Sequence, residues 1–137
     1  MSPGQQLEPF AGKWLAHWPE QVVLEVFTPE RLKPAARAWG GLLFELHECA
    51  FSLEHEPVRT QKSLWWSQEL QAAELGSAKH PITRLLQEYA LPFGGLAAPL
   101  LGLAQQAPIR AGSSNALAGL LHPFADAVAC IEQGLFG

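Results

Sequence analysis

Apolar residues in this chain recur at helical spacing far more often than in alternation. Ala35, Ala36, Trp39, Leu42, Leu43, Leu46, Ala50 and Leu53 fall on one side of a helix, with Arg37, Glu45, Glu48 and Ser52 on the other. Pro34 can open or kink this helix. Glu54 to Pro57 ends it, because a residue before proline avoids helical backbone. Gly40 and Gly41 weaken its middle by about 1 kcal/mol each relative to alanine, unless a close neighbour exploits the missing side chains. An opening helix over Pro9 to Trp18 carries Phe10, Trp14, Leu15 and Trp18 on one side. Val22 to Phe27 is β-branched enough for a strand; with no second strand to pair, an extended link or a helical turn reads equally well. Thr28 then caps, with Pro29 at the first helical position.

A third helix is expected from about Val58 to Leu75, stopped by Gly76. His80-Pro81 starts a short fourth, on which Ile82, Leu85, Leu86 and Tyr89 form an i, i+3, i+4, i+7 stripe. A fifth covers roughly Gly95 to Gln106. Ser113, Ser114 and Asn115 offer caps for a last one, with Leu117, Leu120, Leu121, Phe124, Val128 and Ile131 inward and Pro123 as a kink. The expected fold class is all-α, an irregular multi-helix bundle forming a single domain over residues 1–137. At 137 residues, folding buries about 70 per cent of the extended chain's surface, so a core needs no disulfide or metal to hold it.

Charge adds a second pattern. Only 16 per cent of the residues are charged, against about 25 per cent in an average soluble domain. The formal net charge is −4 and the nine basic residues are scattered, which argues against nucleic-acid binding. The shortage is uneven: between Glu88 and Glu132 the only formal charges are Arg110 and Asp126. A C-terminal third this apolar expects cover from a protein partner or a second copy of the chain, as a homo-oligomer. Tyr89 to Ile109 is uncharged and long enough to span a bilayer. Its prolines (Pro92, Pro99, Pro108) and glycines (Gly94, Gly95, Gly102) would leave backbone groups unpaired in lipid, so a buried or partner-covered segment is expected and no transmembrane segment. The start, MSPGQQLEPF, lacks a secretory pattern, and Cys49 and Cys130 show neither metal spacing nor a disulfide framework. These features lead to the expectation of a cytoplasmic setting.

Candidate chemistry is sparse. Twelve of the thirteen acids are glutamates and Asp126 is the one aspartate, which excludes an aspartate cluster within the chain. His47, Glu48 and Cys49 are adjacent, so on a helix they splay by about 100° each and cannot converge on one ion. His47 and Glu54 would share a side if the helix persists that far. On the third helix Trp66 and Leu70 share a face with Lys62 and Glu69. Long side chains can snorkel past a tryptophan; the sharper reading is a semi-polar pocket wall with Lys62 or Arg59 facing an anion. No phosphate-binding glycine loop, nucleophile elbow or zinc signature is present.

The stretch from Ala38 to Leu86 holds an aromatic-rich helix near Phe44, a Glu56-Pro57 break, a run with Leu64, Trp65, Trp66, Glu69 and Leu70, and His80-Pro81 before a short apolar helix. In that order it resembles the N-terminal half of the squalene/phytoene synthase family. The resemblance implies half of an all-α isoprenoid synthase fold and a relation to enzymes that join two prenyl diphosphates head to head. Such ionisation needs Mg²⁺ held by two aspartate-rich motifs, because hard cations require several carboxylate oxygens to stabilise the departing diphosphate. Where the first motif would fall the chain reads Cys49-Ala50-Phe51-Ser52-Leu53-Glu54, with a single carboxylate, and Asp126 alone cannot supply the second. The expectation is a non-catalytic relative without a cofactor, acting as an interaction or assembly module or as a binder of an apolar (prenyl) ligand. Its candidate ligand-binding residues are His47, Phe51, Glu54, Lys62, Trp66 and Glu69, around a cavity between the Leu42 to Leu53 helix and the Trp66 helix. The alternative is a fragment of an active prenyl diphosphate-condensing transferase, dependent on Mg²⁺, whose remaining metal-binding residues lie beyond Gly137.

Overall fold

A computed structural model of the chain describes residues 26–105 and 114–137. The opening helix and most of the Val22 to Phe27 segment lie outside the described residues. Every regular element among the described residues is helical, so the expected all-α multi-helix bundle is the observed architecture. Among the described residues five α-helices carry it: α1 (Lys33–His47), α2 (Glu56–Glu74), α3 (Pro81–Leu86), α4 (Ala97–Gln105) and α5 (Ser114–Phe136).

The first described element differs slightly from expectation. Pro29 sits in extended backbone as the cap of a 3-10 turn, Glu30–Leu32, that leads into α1. Pro34 then occupies the first turn of α1, where its missing N–H costs nothing. The apolar side of α1 is buried as its spacing predicts, with Ala35, Trp39, Leu42 and Leu46 in the core. The helix does not run on to Leu53. After His47 it widens into a π-type turn, Glu48–Ser52, closed by Leu53 N–H donating to Glu48 O at 3.1 Å. The wider turn buries the consecutive residues Cys49 and Ala50, and the chain then leaves helical geometry at Leu53.

Pro57 opens α2, and Gly76 at φ +80° closes it. That left-handed residue lets Ser77 N–H reach back to Ala72 O at 2.8 Å, satisfying a carbonyl that the helix end leaves free. A side chain at Gly76 would strain this turn. α1 packs against α3, whereas α2 packs against α4 and the 3-10 turn Phe93–Leu96; α4 also meets α5 and the π-type turn. The core runs through all of them: Leu42, Leu46, Trp66, Leu70, Ile82, Leu86, Phe93, Leu96, Leu100, Leu103 and Ile131 form one buried cluster. Each such large side chain contributes about 1.5–3 kcal/mol on burial.

The described part of the uncharged stretch after Tyr89 therefore contributes to the chain's own core, with Phe93, Leu96, Leu100 and Leu103 at 0 to 1 % exposure. No helix among the described residues is long and apolar enough to cross a membrane. Both cysteines are free; Cys49 is buried and Cys130 is exposed. Burial pushes the Cys49 thiol up to about 11, with the neighbouring Ser63 hydroxyl and Lys62 only partly opposing. Alkylation of the native protein at neutral pH is expected to modify Cys130 rapidly and Cys49 only after denaturant is added; peptide mass mapping of the two sites checks this.

Candidate functional site

A buried carboxylate and a half-buried imidazole organise the corner where α2 meets the α2–α3 loop. Glu69, 3 % exposed, turns inward from α2 and receives the backbone N–H groups of Lys79 and His80, at 2.9 and 2.6 Å, and the hydroxyl of Thr83. Its carboxylate thus satisfies donors at the start of α3, a helix too short to hold its own geometry without them. His80 caps the same helix, its Nδ1 accepting from Ile82 N–H at 3.1 Å. The ring stands 5.1 Å from Trp66 and 6.2 Å from Trp65, and the two indoles meet edge to face at 4.9 Å.

This arrangement holds His80 neutral. Burial lowers its pKa below the ordinary 6.5, and the carboxylates of Glu45 and Glu69 pull the other way without winning. A histidine with a depressed folded-state pKa takes up its proton more readily when unfolded. Stability from this group is therefore complete above about pH 6.5 and falls as pH drops through that value. Urea midpoints are expected to decline between pH 7 and about 5.5. His80→Asn keeps an acceptor for Ile82 N–H without a titrating group, so its decline should be shallower.

Arg59 corrects the anion-binding expectation. It is 5 % exposed, and its guanidinium donates to three backbone carbonyls: Ala104 at 2.9 Å, Leu53 at 3.1 Å and Glu54 at 3.4 Å. The first belongs to the C-terminal turn of α4, where a cation also complements the helix dipole. Arg59 ties α4 to the end of the π-type turn rather than facing a ligand.

The six residues singled out in the sequence do not share one cavity. The space expected between α1 and the Trp66 helix is packed: Trp66 is 4 % exposed and joins Leu42, Leu46, Cys49 and Leu70 in the core. Glu54 lies beyond the π-type turn, exposed, so the helix does not persist to carry it beside His47. Phe51 is 41 % exposed and packs its ring 4.9 Å from that of His47. Lys62 is half-buried beside a shallow surface depression with Gln61, Leu64, Trp65 and Gln68. Among the described residues no three His, Cys, Asp or Glu side chains are grouped as metal ligands.

His47 is the residue that leads to an open site. With Leu43 it forms one wall of a groove of about 380 Å³, whose other wall is Phe124, Ala125, Val128, Ala129 and Glu132 of α5. The groove is apolar apart from His47 and Glu132, and Glu132 accepts the indole N–H of Trp39 at 3.1 Å. The α5 side was foreshadowed by the inward stripe, but the stripe is less covered than its pattern implies. Ile131 is fully buried, whereas Leu121, Phe124 and Val128 are half-buried; the side chains of residues 117 and 120 lie outside what is described. Ala118, Ala125 and Ala129 on the same helix are exposed.

No family model, curated protein or solved structure matches this chain.

Proposed function

We propose that this chain is a non-catalytic helical module, cytoplasmic and acting by association, whose α5 face beside α1 receives a partner. The observation that carries the reading is the state of α5. This 23-residue helix buries Ile131 and Leu135 in the core, and Leu121, Phe124, Ala127 and Val128 pack against that core while staying partly exposed. An apolar groove runs beside it. Contiguous apolar surface of this kind on a small domain marks an interaction site. The likeness to the squalene/phytoene synthase family supports a helical scaffold without its chemistry, since Glu54 is a lone exposed carboxylate where several would be needed. Light scattering of the full chain over a wide concentration range tests the reading: mass should rise with concentration, and a compact monomer throughout contradicts it.

The groove favours one second reading, an apolar ligand such as a prenyl chain lying between α1 and α5. The near-absence of polar lining supports it, His47 and Glu132 being the polar groups at the walls. Titration with a farnesyl diphosphate analogue, with and without Mg²⁺, separates the cases. Metal-independent binding supports a carrier or sensor. Metal-dependent binding revives the transferase fragment, and no binding removes both.

A further inference from the structure

We propose that the α2 face around Trp65 is the docking surface for the chain's own N-terminal segment, residues 9–18, laid across it within the same molecule. This surface is distinct from the α5 face, so the inference goes beyond the association reading and does not depend on it.

One side of α2 buries Trp66, Leu70 and Ala73 in the core. Another runs through Val58, Gln61, Leu64, Trp65, Gln68 and Leu75, which share one arc at helical spacing. All four apolar members of that arc are exposed. Exposed apolar residues scattered singly are ordinary; four on one side of one helix form a patch. Trp65 is held in place there, edge to face with Trp66 at 4.9 Å and 6.2 Å from His80. A ring already fixed by its neighbours loses little freedom when something covers it. Beside it lies a hollow of about 400 Å³, and the described residues of its walls, Gln61, Lys62, Leu64, Trp65 and Gln68, all belong to α2. A helix is a convex cylinder, so a hollow walled by one helix leaves room for a second element alongside.

The chain itself carries an element of the right kind. Twenty-five residues precede Val26, and Val26 and Phe27 are exposed, so the chain enters from the surface rather than from the core. Within that length Phe10, Trp14 and Trp18 recur every four residues with Leu15 beside them, an apolar helical stripe in search of cover. Charge agrees with the match. Glu8, Glu20 and Glu25 outnumber Lys13 in the segment, whereas Lys62 is the charged side chain on the described walls of the hollow. The seven residues 19–25 reach about 23 Å when extended, nearly the roughly 28 Å length of α2. A tethered segment meets its site at an effective concentration of order millimolar, so a patch too small to hold a separate protein suffices.

The test uses the full chain, isotope-labelled, in a Cys130→Ser background, with Cys49 buried and left in place. A nitroxide is attached at Thr60→Cys, exposed at the edge of the α2 face, or at Ala125→Cys in the α1/α5 groove. The expected result is that amide signals of residues 10–18 lose most of their intensity with the label at 60 and little with it at 125. Trp14→Ala should restore the lost intensity while the signals of α2 and α4 stay in place. Loss from 125 but not from 60 seats the segment in the α1/α5 groove and overturns the proposal, as does no loss from either. Loss caused by a nitroxide carried on a second, isotopically unlabelled copy shows docking between molecules; it overturns docking within one chain and leaves the association reading standing.

Discussion

Replacing Glu69 by alanine is expected to lower the unfolding free energy by about 3 kcal/mol, measured by urea denaturation. The carboxylate is 3 % exposed and gathers Lys79 N–H, His80 N–H and the Thr83 hydroxyl. Hydrogen bonds to a charged acceptor contribute about 1.5–3 kcal/mol each, but the donors do not all become orphans when it is removed. Lys79 is an exposed residue, so water can replace the carboxylate at its N–H, whereas Thr83 is fully buried. The loss should therefore fall well below the sum of three bonds. Glu69→Gln retains one acceptor oxygen but turns an amide NH₂ toward the remaining donors, so an intermediate loss is expected. The same substitutions should loosen α3 first, giving faster amide exchange at Ile82 and Thr83 than in α2.

Arg59→Met is expected to cost about 2–3 kcal/mol in the same measurement, and Arg59→Lys should recover little of it. The carbonyls of Ala104, Leu53 and Glu54 come from two separate chain segments, and the planar guanidinium reaches them together. An ammonium group is a point donor on a flexible stem and cannot span both segments in one geometry. Methionine keeps much of the packing volume, so the measured loss reports the hydrogen bonds rather than a cavity. A lysine variant as stable as the parent would show that charge at the end of α4 matters more than the fork of donors.

The helices were legible because their signals are local. Pro57 and Gly76 bracket α2, His80-Pro81 opens α3, and the stripe from Ala35 to Leu46 is buried as spaced. The π-type turn was not, because an i to i+5 bond leaves no composition signal and is chosen by the fit of Cys49 and Ala50 to the core. Glu69 and Arg59 looked like pocket residues for the same reason. Their partners lie 10 to 14 and as many as 45 residues away in sequence, so their roles exist only once α2 has packed. The charge-poor C-terminal third divided in two. Phe93 to Leu103 fills the chain's own core, and among the described residues the face of α5 is the part left beside an open groove.

That face carries the functional account, and Ala125 is the position that tests it with least disturbance. The residue is exposed and lines the groove without joining the core cluster. Ala125→Arg should therefore fold with unchanged far-ultraviolet circular dichroism while placing a charge in the groove. Light scattering of both proteins at matched high concentration is the decisive comparison. The account predicts an associated parent and a monomeric variant of the same helicity. A parent that is monomeric, or a variant that associates as well as the parent, would contradict it.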